Sequence, residues 1–252
     1  MTYDNLKCFL LFLNRGRSGS SLCGGLISCH PNAIIAHEKE FKNFDFTDEI
    51  DLYNLLIEAQ TNKKFVWQPL RGITTWRDMK QYENIRVIGT KKQGTLIKSI
   101  SDFEKLETLK NKISIPVKFI NIYRNPFDNI TTIYNKSQRP KHIKTGTTMK
   151  DINRAITYYF NGIRMTQEVI NREDVLNVQH ENLVDNTRKV LVDICEFLDL
   201  PLDDEYLDFC KTLIWKQARQ TRNSIDWSVD NIMRVEKLKN KYDFLKGYSY
   251  EI

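Results

Sequence analysis

Small and hydroxyl-bearing residues between an apolar run and a helical pattern form the segment of this chain best suited to chemistry. Residues 13–22 read Leu-Asn-Arg-Gly-Arg-Ser-Gly-Ser-Ser-Leu. A strand–turn–helix of this composition exposes successive backbone N–H groups, and the helix N-terminus adds a partial positive charge. Glycine at position 19 lets the backbone approach a bound group closely. The segment predicts a phosphate or sulfate site, although Ser18 and Ser20 acting only as helix caps would give the same pattern.

The segment differs from the Walker A loop of ATP-binding proteins. That motif, GxxxxGK[ST], has a lysine immediately before its hydroxyl residue, whereas here Gly19 precedes Ser20. Without that lysine, ATP hydrolysis is a weaker expectation. A kinase acting on a small metabolite stays an alternative, because its loop, its fold and a basic lid-like segment such as residues 137–150 would look similar.

Short apolar runs predict the strands that must hold this loop. They lie at residues 7–13, 86–89, 117–123 and 174–178. Runs that are apolar throughout are typical of strands covered on both faces of a parallel sheet. Helical patterns fill intervals between them, at residues 20–28, 48–60, 149–172 and 187–198. This alternation predicts an α/β fold, a three-layer α/β/α sandwich with a central parallel sheet, as a single domain over residues 1–252.

The composition narrows the class of protein. Among 252 residues, 41% are hydrophobic and 11% aromatic, which is too many for a disordered chain. The apolar run Cys8–Leu13 is too short to cross a bilayer, and no secretory cleavage region follows it. Five cysteines without a CxxC pair favour neither a metal site nor a disulfide framework. We therefore expect a cytoplasmic protein with no membrane or nucleic-acid partner. The net charge of +6 is compatible with an anionic ligand, but a solvated surface of mixed charges would give the same value.

Residues 17–38 resemble the 5′-phosphosulfate loop of the sulfotransferases that use 3′-phosphoadenosine 5′-phosphosulfate (PAPS), in form nearest to the tyrosylprotein and carbohydrate enzymes. In that family a loop similar to PRSGTT precedes a helix, an HP turn and a glutamate, matched here by His30-Pro31 and Glu38. The resemblance implies a P-loop-like sulfotransferase fold, PAPS as donor, 3′-phosphoadenosine 5′-phosphate (PAP) as product, and no metal. It also implies contacts to the donor from Arg17, Ser18, Gly19, Ser20, Ser21 and Leu22.

A second motif resembles the element of this family that binds the 3′-phosphate. There an arginine is followed eight residues later by a serine, roughly R-[DN]-P-x-[DA]-x-x-x-S, and Arg124 and Thr132 stand at that spacing. A guanidinium grips phosphate with two N–H groups, and a hydroxyl in the following helix adds a donor. A surface ion pair is the alternative role for Arg124.

Two C-terminal stretches extend the resemblance. Residues 178–184 are similar to the YEDLV stretch of the family but have His180 where tyrosine is usual, so a nucleotide contact from His180 stays open beside a structural role. Residues 219–227 and 241–248 are similar to the basic stretch that folds over the nucleotide. Arg222 is the residue we expect to make this contact, with Arg219 as its competitor.

The chemistry implied by the resemblance requires a base for the acceptor and cations against the charge on the leaving phosphate. Glu38 matches the catalytic glutamate, with Glu40 and His37 as rivals. Lys91 resembles the lysine of the family's GDKxP motif, although the proline is missing and Lys92 competes for the role. Arg17, within the loop, is expected to touch the phosphosulfate.

The sequence thus predicts a PAPS-dependent sulfotransferase acting on a hydroxyl or an amine. The acceptor could be a small molecule, a glycan or a peptide, with residues 41–85 and 137–150 shaping its pocket. A non-catalytic nucleotide-binding module on the same fold is the third reading, beside the small-metabolite kinase.

Overall fold

Five parallel strands form the sheet that carries the predicted loop. The computed structural model describes residues 4–13, 16–37, 49–61, 84–91, 103–144, 146, 148–215 and 217–251. The strands are β1 (Cys8–Leu13), β2 (Ala33–His37), β3 (Val87–Lys91), β4 (Val117–Tyr123) and β5 (Val175–Gln179). All four neighbouring pairs are parallel, in the order β2-β3-β1-β4-β5. The parallel sheet is therefore confirmed, with bounds within two residues of the four predicted runs, and the strand-like stretch 33–36 before Glu38 forms the fifth strand, β2.

The order of the strands places the two predicted anion-binding turns side by side. From β1 the chain crosses to β2 and β3 on one side, and it reaches β4 and β5 on the other side of β1. Strands β1 and β4 are direct neighbours, with Leu13 opposite Asn121 in their register. In open parallel sheets, ligands bind outside the carboxyl ends of strands where the order reverses. The turns after β1 and β4 meet at this switch point.

Helices cover both faces of the sheet. Their bounds are α1 (Ser20–Ile27), α2 (Glu49–Thr61), α3 (Phe103–Lys112), α4 (Pro126–Ser137), α5 (Pro140–Lys144), α6 (Ile152–Ile170), α7 (His180–Asp185), α8 (Thr187–Leu198), α9 (Asp204–Thr212) and α10 (Val229–Lys239). Short 3₁₀ turns lie at Thr221–Ser224 and Asp243–Leu245. Residues 137–150, predicted as a loop, include α5. None of the described helices is both long and apolar enough to cross a membrane.

Alternation along β1 shows why the fold has three layers. Successive side chains of a strand point to opposite faces of a sheet. Leu10 and Phe12 belong to an apolar cluster with α1, α8 and α9, whereas Phe9 and Leu11 belong to a cluster with α2 and α3. Every residue of β1 is buried. Burial on both faces explains the unbroken apolar run in the sequence and confirms the α/β/α sandwich.

A third apolar cluster lies outside the sheet and joins α4, α6, α10 and the C-terminal segment. Its aromatic members from the chain end include Tyr242, Phe244, Tyr248 and Tyr250. Asn125 caps α4, since its side chain accepts a hydrogen bond from the Phe127 backbone N–H, and Pro126 occupies the first turn. The last residues of the described chain are thereby packed against the helix that follows β4.

Candidate active site

The turn after β1 has a glycine in the left-handed region, and not a side-chain cap, at the start of α1. Gly19 is the residue that precedes α1, with φ +105° and ψ 3°, and no side chain caps this helix among the described residues. Ser18 is buried, and its Oγ has no hydrogen-bond partner in the described part of the chain. The alternative that these serines merely cap the helix is therefore wrong. The Leu22 and Cys23 N–H groups donate to the carbonyl oxygen of Gly19, at 2.9 and 3.1 Å, so α1 begins directly at the loop and the partial positive charge of its N-terminus lies there.

Gly19 lies against His180, the first residue of α7. A Cβ atom built on Gly19 would lie 2.3 Å from Nδ1 of His180. This Nδ1 is buried and has no hydrogen-bond partner among the described residues. The close approach explains why a residue without a side chain stands at position 19, and it brings the end of β5 to the loop.

The turn after β4 carries Arg124. This arginine is 7% exposed, and its Nη2 donates a hydrogen bond to the carbonyl oxygen of Arg219. Its Nε has no partner within the described residues. Burial lowers the pKa of Arg124, while Asp128 and Glu181 act in the opposite direction; an arginine nevertheless stays charged at neutral pH. A buried guanidinium with an unpartnered N–H suits an anion and excludes the role of a surface ion-pair residue.

Helix α4 links the two turns and carries the predicted hydroxyl. Asn129 Nδ2 donates to the carbonyl oxygen of Gly16, at 3.2 Å. Thr132 Oγ1 donates to the carbonyl oxygen of Asp128 at 2.8 Å and lies 2.9 Å from Thr221 Oγ1. Since α4 contacts the loop directly, the positions of the two turns are coupled.

One cavity of about 270 Å³ is bordered by both turns. The structure brings seven of the predicted donor-binding residues to it: Arg17, Gly19, Ser20, Ser21, Leu22, Arg124 and Thr132. The remaining lining residues are His180, Trp215, Ala218, Arg219 and Thr221. Arg17 and Arg219 are exposed, and the Arg219 guanidinium lies 5.8 Å from the ring centroid of Trp215. The cavity thus combines cations, hydroxyls, helix N–H groups and an aromatic ring, which is a suitable set for a phosphorylated nucleotide.

Lys91 lies beneath the loop. It ends β3, is fully buried, and its Nζ donates a hydrogen bond to Ser21 Oγ at 2.9 Å. It stands opposite His37, the last residue of β2. Lys91 therefore does not line the cavity itself but bonds to Ser21, which does. Glu38, Glu40 and Lys92 lie outside the described residues.

Arg222, which the sequence predicts to contact the nucleotide, does not line this cavity; its guanidinium pairs with Asp128, and it borders a neighbouring cavity of about 280 Å³ that Arg219 also lines. Its Nη1 lies 2.8 Å from Asp128 Oδ2, and its backbone N–H donates to Asp128 Oδ1 at 2.7 Å. The side chains of the pair are 6% and 3% exposed. The 3₁₀ turn Thr221–Ser224 turns Arg222 inward against α4, whereas its competitor Arg219 lines the cavity.

We expect Arg222→Met to lower the free energy of unfolding by about 3–5 kcal/mol, the usual effect of leaving a buried charge without its partner. Urea unfolding would measure this. Adding Asp128→Asn should recover part of the loss, because the uncompensated carboxylate is then removed. An unchanged stability together with weaker nucleotide binding would instead return Arg222 to the role that its position in the sequence predicts.

His180 should make stability depend on pH. Burial lowers the pKa of His180 from 6.5 to about 4; Arg124 adds to this and Asp185 opposes it. Between these values the unfolded chain binds a proton that the folded protein excludes. The free energy of unfolding should therefore fall as the pH drops from 6.5 to 4, by about 3 kcal/mol in total from this group. Urea unfolding of the wild type and His180→Gln at several pH values would test this. The same dependence of the unfolding free energy on pH in both proteins would contradict it.

Comparison with known proteins identifies the family. Residues 15–204 match a model of the sulfotransferase family. No curated protein sequence matches the chain significantly. Among solved structures, mouse sulfotransferase SULT7A1 complexed with PAP is 14% identical, with a TM-score of 0.52, and the match covers 96% of this chain and 85% of that one.

Two bacterial structures have the same fold. The sulfotransferase domain of the Synechococcus PCC 7002 olefin synthase is 18% identical, with a TM-score of 0.50 and coverage of 96% of this chain and 98% of that one. Sulfotransferase STF9 from Mycobacterium avium is 10% identical, with a TM-score of 0.54 and coverage of 96% and 78%. Since the family match extends from the loop after β1, past the turn after β4, to the first residue of α9, the chain belongs to the sulfotransferase family.

Proposed function

We propose that the protein transfers a sulfuryl group from PAPS to a hydroxyl group of its acceptor. The observation that carries this proposal is the single cavity bordered by both anion-binding turns. PAPS has a phosphosulfate on the 5′-oxygen of its ribose and a phosphate on the 3′-oxygen. Arg124 Nε, in the lining of the cavity, and Ser18 Oγ, between the lining residues Arg17 and Gly19, are buried and have no hydrogen-bond partner among the described residues, so the residues present fit such a ligand.

The loop after β1 would hold the phosphosulfate. The first residues of α1, Ser20 to Leu22, line this end of the cavity together with Arg17, so the positive end of the helix dipole, two hydroxyls and a guanidinium are near a bound anion. PAPS supplies an activated sulfuryl group when bound. Fixed N–H groups and cations stabilise the negative charge that develops on the leaving phosphate, and they act most strongly where water is excluded.

The turn after β4 would hold the 3′-phosphate. Arg124 supplies a buried guanidinium, and Thr132 supplies a hydroxyl from the following helix. Arg219 takes the place that the sequence assigned to Arg222, since it borders the cavity and has an exposed side chain. Trp215, 55% exposed at the rim, offers a ring face on which adenine can stack.

Lys91 and Glu38 are the proposed catalytic side chains, together with Arg17. Lys91 is held at 2.9 Å from Ser21 Oγ and can place its positive charge beside the bridging oxygen. Glu38 follows His37 directly in the sequence, and the backbone of β2 at His37 pairs with that of β3 at Lys91. A carboxylate at this position is our choice for the base that takes the proton of the acceptor hydroxyl.

Replacing Glu38 with glutamine should lower kcat about a hundredfold, the lower end of the range for loss of a general base. The affinity for PAP should change less than twofold, because the amide keeps the size of the side chain. Single-turnover transfer of labelled sulfate measures the first quantity, and calorimetry the second. Unchanged turnover would remove Glu38 as the base and leave Glu40 and His37 for the same test.

Thermal denaturation with nucleotides tests the proposed donor. PAP at one hundred times its dissociation constant should stabilise the protein by about 2.7 kcal/mol without magnesium. Stabilisation by Mg-ATP but not by PAP would favour a kinase. Binding of PAP with no transfer of labelled sulfate from PAPS to any acceptor in a panel of phenols, sterols, glycans and tyrosine peptides would favour a non-catalytic module.

A further inference from the structure

A carboxylate outside the cavity joins the turn after β4 to the C-terminal segment. Glu181, the second residue of α7, accepts a hydrogen bond at Oε1 from the Asn125 backbone N–H at 3.0 Å. Its Oε2 accepts one from the hydroxyl of Tyr248 at 2.6 Å. Both oxygens of one side chain are thus engaged, one by the residue next to Arg124 and the other by the end of the chain.

Asn125 is held by the C-terminal segment through its side chain as well. Its Nδ2 donates to the carbonyl oxygen of Ser249 at 3.1 Å, while its Oδ1 caps α4. Asn125 therefore has four direct hydrogen-bond partners, which are Glu181, Ser249, Phe127 and Asn129. Tyr248 is linked to it only through Glu181. Few rotations of this turn are compatible with all of these bonds.

Aromatic contacts place the same segment on both sides of the turn. The ring of Tyr248 packs edge-on against Tyr123, with centroids 6.2 Å apart, and Phe244 lies 5.4 Å from the same ring. Tyr250 packs edge-on against Phe127 at 5.2 Å. Tyr123 is the residue before Arg124, and Phe127 is the second residue of α4. The C-terminal segment therefore contacts the chain on both sides of Arg124.

The hydrogen bond from Tyr248 is a stable one. Burial and the charge of Glu181 raise the pKa of the Tyr248 hydroxyl above its ordinary value, so the phenol stays protonated and donates. A hydroxyl that donates to a carboxylate in a partly buried place makes one of the stronger hydrogen bonds in proteins. The negative charge of Glu181 also favours the charged form of Arg124.

We infer that Glu181 and Tyr248 are positioning residues that hold the turn carrying Arg124 in the orientation needed to bind the 3′-phosphate of the donor. The inference rests on the proposed function. It makes residues 248–250 part of donor recognition, although Tyr248 is not among the residues that line the cavity holding Arg124. Preorganisation of this kind improves binding by removing the need to order the turn when the ligand arrives.

The test compares two ligands that differ by one phosphate, PAP and adenosine 5′-phosphate. Tyr248→Phe keeps the ring and removes the donor. We expect it to weaken PAP binding about tenfold, as for loss of one hydrogen bond to a charged group, and to change adenosine 5′-phosphate binding less than twofold. Glu181→Ala should have a larger effect in the same direction, and Glu181→Gln, which keeps an acceptor, a smaller one.

Tyr242→Phe is the matched control. It removes a hydroxyl from the same segment at a residue whose ring stacks on Phe160, with centroids 6.4 Å apart. Both affinities should be unchanged in this variant. If Glu181→Ala does not fold, Tyr248→Phe still decides the question.

Three results would overturn the inference or its basis. An unchanged ratio of the two affinities in a folded Tyr248→Phe protein overturns the inference, whether both affinities fall together or neither falls. A wild type that binds PAP no better than adenosine 5′-phosphate contradicts the proposed role of Arg124, and the inference with it. A wild type that binds neither ligand contradicts the proposed function itself.

Discussion

Replacing Arg124 with alanine should weaken PAP binding about a thousandfold. Truncating one member of a buried, hydrogen-bonded charge pair typically costs 2–5 kcal/mol, and about 4 kcal/mol corresponds to a factor of a thousand. Arg124 meets the conditions for a value in this range, because it is 7% exposed and one of its N–H groups has no partner among the described residues. Calorimetry with PAP measures the loss directly.

The loss should be confined to the ligand that has a 3′-phosphate. Adenosine 5′-phosphate should bind Arg124→Ala nearly as well as the wild type, so the preference for PAP disappears. Arg124→Lys should have an intermediate effect, since the charge is kept and the two-pronged grip is lost. Arg234→Ala is a suitable control, as this exposed arginine of α10 bonds to Asn153 and Thr157 on α6. A preference for PAP that survives in Arg124→Ala would show that the 3′-phosphate lies elsewhere.

The parts of the site that were predictable from sequence are those fixed by local chemistry. An apolar run covered on both faces reads as a buried parallel strand, and β4 occupies the predicted bounds, residues 117–123. The two turns follow such strands directly, so it was predictable that both lie at the carboxyl edge of the sheet. That they are neighbours depends on the strand order, which the sequence does not show. Lys91 was predictable from its place at the end of β3, but its bond to Ser21 was not.

The choice between Arg219 and Arg222 could not be made from sequence. The two arginines stand three positions apart in a stretch with no regular pattern. Which of them faces the cavity is decided by Asp128, which lies 94 positions earlier and binds both the backbone N–H and the guanidinium of Arg222. Local propensity contains no information about a partner so distant in the chain.

Glu181 shows the same limit for a residue with no assigned role. It lies in the stretch similar to YEDLV, for which the sequence analysis considered only His180, the residue that stands where tyrosine is usual. Its two hydrogen bonds are made with Tyr248, 67 positions away, and with Asn125, 56 positions away. A carboxylate at the start of a helix is otherwise explained by the helix dipole alone.

The second large effect is expected from adding one methyl group to the loop after β1. Gly19→Ala should weaken PAP binding about a thousandfold, for two reasons that add. A side chain at φ +105° is strained by about 1–2 kcal/mol. The new Cβ would also lie 2.3 Å from His180 Nδ1, and His180 is only 8% exposed and has little room to move; relieving such an overlap costs about 1–3 kcal/mol.

Two variants separate the two causes. Gly146→Ala introduces a side chain at φ +65°, where no atom of the described residues beyond the chain neighbours lies within 4 Å of the new Cβ, so PAP affinity should stay unchanged in this variant. Gly19→Ala combined with His180→Ala removes the overlap but keeps the strain, and should recover about half of the lost binding free energy. Because the loop must shift to admit the methyl group, the N–H groups of α1 leave the positions in which they meet the phosphosulfate. A Gly19→Ala protein that binds PAP within threefold of the wild type would mean that the loop does not hold the ligand in this conformation, and the placement of the donor would then have to change.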